Sequence, residues 1–246
     1  MTNRILLAFA MKEELAPWRR RHRFGPVVEL PQQVSVTSIG ATEVYVALVG
    51  AGYADGDLLD DLTNKIKPSV GIVTGVAAGL KPPWHSGNIV VAHTVTDAEG
   101  KTFFGSDEEL TRLAMRLGAK PGTLVTVPRI ARTVEEKTQL ANFGDVADME
   151  SFDFMLECAA KGIRSLGLRV ILDPLEQPMT CDFMSAMDAH GQVRISKILA
   201  QLVRNPSLLP DFLHLAKQSR RVLNILAQFL DRFLGRFEQQ RGSLSE

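Results

Sequence analysis

Val146-Ala147-Asp148-Met149-Glu150-Ser151 joins a short apolar run to a helical pattern in which Phe154, Met155, Cys158 and Ala159 recur at helical spacing. An apolar run that ends on acids and passes straight into a helix marks a strand-to-helix junction of an α/β protein. Glu150 suits the first turn of that helix, where a carboxylate meets unpaired amides and the helix dipole. Two other junctions share the feature. Glu14 follows the apolar run Ile5-Leu6-Leu7-Ala8-Phe9, and Asp173 ends the run from Ser165 to Leu172. Acids at three such junctions are expected to converge at one edge of a mostly parallel sheet, where α/β proteins bind ligands.

Outward from that stretch, the remaining elements keep the same rhythm. Continuous apolar runs predict buried strands over 4–10, 70–74, 88–96, 124–127 and 165–172, with a hairpin-like pair at 34–37 and 44–49. Helices are expected over 54–65, 107–117, 134–141 and 150–161, and a helix that opens near Met11 should stop at Pro17 or soon after. The glycines of Gly50-Ala51-Gly52 permit close approach of a ligand or equally tight packing, and the small-residue stretch Gly75-Val76-Ala77-Ala78-Gly79-Leu80 reads as a loop. Neither is a complete dinucleotide fingerprint, and the second has no P-loop lysine, which argues against a nucleoside triphosphate. After Pro174 the texture changes to a loop-like segment with a turn at Asp188-Ala189-His190-Gly191, a helix over 194–203 and a long helical stripe over 208–237. The alternation predicts a single α/β domain over 1–176 with a mixed sheet, followed by a helical extension over 177–246.

A chain of 246 residues is long enough for that core, and 45% hydrophobic with 23% charged residues excludes global disorder. The formal net charge is zero, so nothing global points to nucleic acid. The tail is nevertheless basic, with nine Lys or Arg against three Asp or Glu between Arg194 and Arg241. Its stripe of Phe212, Leu215, Val222, Leu226, Phe229, Phe233 and Phe237 is expected to pack on the body or on a second subunit, with peripheral membrane contact as the other reading. Cys158 and Cys181 stand isolated with no metal-ligand spacing, which suits a reducing compartment. The sequence lacks a secretory cleavage pattern and any apolar run of roughly 18 residues, so a cytoplasmic protein is expected.

Four motifs, taken together, resemble the purine nucleoside phosphorylase and methylthioadenosine/S-adenosylhomocysteine nucleosidase superfamily. They are Ala10-Met11-Lys12-Glu13-Glu14-Leu15, Thr74-Gly75-Val76-Ala77-Ala78-Gly79-Leu80, Asp148-Met149-Glu150 and Arg169-Val170-Ile171-Leu172-Asp173. The tail, from Ala186 to Val193 and through its basic helix, is similar to the hopanoid-associated phosphorylase branch, whose members are thought to cleave adenine from adenosylhopane. The resemblance implies a three-layer fold with a central mixed, partly barrel-like sheet, a small-molecule nucleoside as partner, self-association into a homo-oligomer, and neither cofactor nor metal.

Carried over residue by residue, Glu150 would bind the ribose 2′- and 3′-hydroxyls and Met149 would pack against the sugar. Asp173 would give a proton to N7 of adenine, and Glu14 would orient or deprotonate the attacking water. The same motifs place Arg169, Val76, Ala77 and Gly79 among the substrate-binding positions, while Met11, Phe103 and Phe104 are candidates for the pocket of the 5′ substituent. Val76, Ala78 and Leu172 depart from the family, standing where it has Ser, Gly and Ser. The Gly-Asp-Pro phosphate loop is absent and no Arg precedes Gly75, which favours water over phosphate as the acceptor. Two other readings stay open: a phosphorylase that draws cations from Arg129, Arg132 or a partner subunit, and a nucleoside-binding protein that has lost catalysis.

Overall fold

The structure, a computed structural model, describes residues 3–27, 30–31, 33–52, 56–180, 182–186, 188 and 193–242. Cys181 and much of the 187–192 turn therefore lie outside the described residues, as does the expected helix start at Ala54. In chain order the elements are β1 (Asn3–Phe9), α1 (Lys12–Arg19), β2 (Gly25–Pro26), β3 (Val34–Ile39), β4 (Thr42–Leu48), α2 (Gly56–Ile66), β5 (Val70–Gly79), β6 (Ile89–Thr96) and β7 (Phe103–Gly105). There follow α3 (Glu108–Arg116), β8 (Lys120–Thr126), α4 (Val134–Leu140), β9 (Val146–Asp148), α5 (Ser151–Ala160), β10 (Arg164–Asp173), α6 (Phe183–Ala186), α7 (Ile195–Arg204) and α8 (Leu209–Gly242).

One mixed sheet holds all the strands. Its path runs β10-β6-β8-β9-β5-β1-β4-β3-β2, and the extra pairing of β10 with β5 closes five strands into a barrel. The buried strands sort their side chains by the two-residue period. On β1, Ile5, Leu7 and Phe9 join a core with Trp18 of α1, Leu110 of α3 and the α8 residues Val222, Leu226, Phe229, Phe233 and Phe237. Leu6 and Ala8 face the other way, into a core shared with Leu59 and Leu62 of α2 and Phe154, Met155 and Cys158 of α5. Both faces are covered, which is why these strands are continuously apolar. The tail stripe thus packs on the body of its own chain, and Trp18 Nε1 donates to Asp231 Oδ1 of α8 at 2.8 Å.

Two expectations change. The stretch Gly75-Val76-Ala77-Ala78-Gly79 is the second half of β5 rather than a loop, paired with β10 as far as Ala78 against Asp173 and with β9 at Ala78 and Gly79. Its small residues reflect tight packing: a Cβ on Gly79 would sit 3.0 Å from Cβ of Trp84. Phe103 and Phe104 form a short strand, β7, on the edge of β6. Helix α1 runs two residues past Pro17 to Arg19.

Strand polarity positions the site. β1, β5 and β10 are mutually parallel, so Glu14, Val76 and Asp173 arise at one end of the sheet. β9 runs antiparallel to β5, which brings Asp148, Met149 and Glu150 back alongside Ala77 and Val76. The pairing of β10 with β5 shifts register between Ile171 and Asp173, an irregularity centred on Leu172 that re-aims the acid at the strand's end.

Candidate active site

Glu14 sits in the first turn of α1, immediately after β1, and its carboxylate accepts two backbone hydrogen bonds. Met11 N donates to Oε2 at 3.1 Å and Val76 N to Oε1 at 2.8 Å. Gly75 makes this approach feasible. A Cβ there would lie 2.5 Å from Glu14 Oε1 and 2.9 Å from Arg169 Nη1, so only glycine fits between the acid and the guanidinium. Arg169 pairs with Gly75 across the β10–β5 ladder and is fully buried.

That guanidinium organises the acids that follow β9. Nη2 lies 2.7 Å from Asp148 Oδ2 and 3.1 Å from Glu150 Oε2, and it donates to Ser151 Oγ at 3.1 Å. Ser151 Oγ donates in turn to Asp148 Oδ2, and Thr126 Oγ1 donates to Asp148 Oδ1 at 2.7 Å. Glu150 Oε1 accepts from Gly52 N at 3.2 Å. The backbone at Gly52 has φ +70°, a conformation that glycine adopts without strain. The Gly50-Ala51-Gly52 turn therefore serves the site by holding Glu150.

Three buried carboxylates, Glu14, Asp148 and Glu150, gather around this one buried cation. Burial, opposed by Arg169 and reinforced by the charges of Asp148 and Glu14, pushes the Glu150 carboxyl up to about 7. Burial also raises Glu14 against the opposing backbone hydrogen bonds and Arg169. A pocket wall of this sign favours a ligand that becomes positive as it reacts.

Asp173 stands apart from that cluster and has its own cation. Lys137, in the last turn of α4, is fully buried with Nζ 2.6 Å from Asp173 Oδ2. Nζ also donates to the carbonyls of Pro174 and Gln177, each at 2.8 Å, so three acceptors surround the ammonium. A capping box fixes this helix start, with Glu136 N donating to Thr133 Oγ1 and Thr133 N to Glu136 Oε2. Burial lifts the Asp173 carboxyl to about 6, and Lys137 holds it below the value that burial alone would give.

Glu14, Glu150 and Asp173 all line one cavity of about 340 Å³, within the range of small-molecule pockets. Met11, Met149, Val76 and Ala77 line it too. Val76 and Leu172 form part of its wall without filling it. The far end is apolar and comes from the tail: Phe183, Ile195, Ile198, Phe212, Leu215 and Leu223. Arg169 lies behind Glu150 and is not part of the lining, and neither is Gly79. Phe103 is exposed and Phe104 packs on Phe152 at 5.3 Å between ring centroids, so neither reaches this cavity within the chain. Arg129 and Arg132 face Glu136 and Asp182 at 3.0 and 3.9 Å. Among the described residues, none that lines the cavity is basic.

The profile of the Phosphorylase superfamily matches residues 4–204, most of the chain. The chain belongs to the Phosphorylase superfamily. Solved structures of similar shape share its fold. The 5′-methylthioadenosine/S-adenosylhomocysteine nucleosidase of Campylobacter jejuni superposes with a TM-score of 0.73 at 15% identity, covering 95% of this chain and 99% of that one. Futalosine hydrolase of Helicobacter pylori gives 0.72 at 14% identity, with 95% and 98% covered. A mutant methylthioadenosine nucleosidase of Helicobacter pylori, solved with 5′-methylthioadenosine in its active site, gives 0.70 at 14%, with 95% and 99% covered. Identities this low speak for the phosphorylase fold alone. No curated protein matches the sequence.

From sequence, Asp148 stands inside a quoted motif without a role, and Lys137 is not singled out. Local sequence marks an acid beside a strand end, yet it does not mark a lysine whose ammonium is enclosed by groups 36 to 40 positions away. The apolar contribution of α6, α7 and α8 to the cavity was equally hidden, because the stripe that packs on the body and the residues that line the pocket are interleaved on one helix.

Proposed function

We propose that the chain is a nucleosidase: it hydrolyses the N-glycosidic bond of a 5′-substituted adenosine and releases adenine. The observation that carries this reading is the joint burial of Glu14, Glu150 and Asp173 around one nucleoside-sized cavity whose other end is apolar. Glu150, braced by Arg169 and Gly52, accepts hydrogen bonds from the ribose 2′- and 3′-hydroxyls, and Met149 packs against the sugar. As the bond from C1′ to N9 breaks, positive charge develops on the sugar beside the carboxylates of Glu14 and Glu150. Asp173 transfers its proton to N7 of the departing adenine. Water adds to C1′ and gives its proton to Glu14, so the proton lost by one acid is matched by the proton gained by the other.

Lys137 acts on this chemistry through Asp173. Its ammonium fixes the orientation of the acid and sets how readily the acid releases its proton. Residues 1–176 supply the reacting groups, and residues 177–246 supply the apolar wall that receives the 5′ substituent. A methylthioadenosine-like group and a larger, adenosylhopane-like group are the two 5′ substituents this reading weighs. The uncharged-or-acidic lining supports water as acceptor, because phosphate binding usually needs fixed cationic donors. Self-association of the chain in the cytoplasm belongs to the same reading, and peripheral contact of the tail with a membrane is compatible with it.

The deciding assay follows adenine release from methylthioadenosine, S-adenosylhomocysteine and 5′-alkyl adenosines in phosphate-free buffer. Turnover there is the expected result. Adenine that appears only on adding phosphate would replace the hydrolase with a phosphorylase, and tight nucleoside binding without turnover would leave a binding protein.

A further inference from the structure

The apolar end of the cavity lies beneath α7 and the first turns of α8, where exposed apolar surface is concentrated. Of the ten large hydrophobics exposed among the described residues, five fall between residues 195 and 213. Ile195, Leu199 and Val203, exposed by 61%, 55% and 81%, follow at four-residue steps along one stripe of α7. Leu209 and Leu213 repeat the step at the start of α8. The inward residues of the same helices, Ile198, Leu202 and Phe212, pack with Ala186 and Phe183 in a small core of their own. The outer stripe is therefore surplus to what the fold needs, and contiguous apolar surface of this kind marks an interaction site. Ile195 belongs to both worlds: it lines the cavity and is mostly exposed, so the outer stripe is continuous with the pocket's apolar wall.

The charge around the stripe says what covers it. Between Arg194 and Arg221 there are six Lys or Arg and one acid, Asp211, and of the six Arg194 is paired with Asp188 at 3.6 Å. The whole chain has 28 of each sign, so the rest of the molecule carries 22 basic and 27 acidic residues. Arg204 ends α7 beside the stripe, and Lys217 continues the Leu209 and Leu213 row by one more step. The surface is thus apolar and cationic on a molecule of no net charge. A second copy docked on this face about a two-fold axis would set its cations against their own duplicates. An anionic bilayer offers the complement, with negative headgroups for the cations and acyl chains for the stripe.

We propose that α7 and the start of α8 dock on the anionic surface of a lipid bilayer, and that an amphiphilic ligand passes from the bilayer along Ile195 into the apolar end of the cavity. The docking stands on the surface alone; the passage of ligand rests on the nucleosidase reading. The test floats the full chain on vesicles of phosphatidylcholine, with and without phosphatidylglycerol. Recovery with the anionic vesicles only, weakening as salt is added, is the expected result. Arg204→Glu with Lys217→Glu should lower the bound fraction at least fivefold per cation, about 1 kcal/mol each. Leu199→Ser with Val203→Ser should lower it about tenfold or more, while hydrolysis of water-soluble methylthioadenosine stays at the wild-type rate.

Equal recovery on neutral and anionic vesicles, no recovery on either, or a Leu199/Val203 variant that floats like the wild type would each overturn the proposal. So would light scattering in which that variant turns a dimer into a monomer, because the stripe would then be an interface between copies. Flotation reads no turnover. A chain that floats as expected but releases no adenine keeps the docking surface and loses the proposed function.

Discussion

The two ends of the cavity are built on opposite principles. At one end, Glu14, Asp148, Glu150 and Arg169 are held by at least one named hydrogen bond or ion pair each, inside a closed barrel of strands. At the other end, Phe183, Ile198, Phe212 and Leu215, from α6, α7 and α8, line the cavity with apolar side chains. Buried charge tolerates little displacement, because each unpaired group costs several kcal/mol. Apolar contact is non-directional and scales with the area covered. The polar end is thereby suited to one reaction, and the apolar end to choosing which molecule undergoes it.

The sharpest way to break this contrast is at the acids. Asp173→Asn and Glu150→Gln should each lower kcat/KM about a thousandfold, the loss expected of a general acid or of two charge-assisted hydrogen bonds. Their preference among 5′ substituents, read as a ratio of kcat/KM values, should not move. Lys137→Met comes next. It leaves the Asp173 carboxylate and two carbonyls without their buried partner, and unfolding in urea should show a loss of about 3–5 kcal/mol. Its surviving activity carries a separate signature. In the proposed reaction Asp173 acts as the protonated acid, so the share of enzyme carrying it in that form falls as pH rises through about 6. Without the cation that value rises, and the alkaline limb of the pH–rate profile should move upward; an unmoved limb would make Lys137 purely structural.

Glu150→Gln also tests the excess negative charge by a route that needs no substrate. A carboxyl raised from 4.5 to about 7 stays protonated in the folded chain while the unfolded chain ionises. Stability from this group is therefore complete below pH 4.5 and is lost as pH rises through about 7. Relative to the Gln variant, the wild type should lose about 3 kcal/mol across that window in thermal or urea unfolding. The smallest effect belongs to the apolar end. Phe212→Ala or Leu215→Ala should lower kcat/KM about tenfold for adenosines with large apolar 5′ groups and leave methylthioadenosine nearly unchanged.

The acids and the apolar wall were unequally legible before the fold was known. Glu14, Glu150 and Asp173 each follow or end an apolar run, so their shared edge could be read from pattern. Gly75 through Gly79 reads as a loop from sequence because small residues signal both turns and close packing, and only the partners on β9 and β10 distinguish the two. Aromatic character makes Phe103 and Phe104 pocket candidates, and the edge pairing of β7 leaves them outside the cavity lining within the chain.

By itself the sequence determined the order of elements, the burial of the strands on both faces, and the three acids at strand ends. Those follow from local spacing, because side-chain direction repeats every two residues along a strand and every 3.6 along a helix. Only the tertiary structure decided that Arg169 sits between three carboxylates, that the ammonium of Lys137 pairs with Asp173, and that the tail walls the far end of the cavity. These depend on chain segments far apart in sequence meeting in space, and a residue's neighbours across a barrel leave no mark on the residues beside it in the chain.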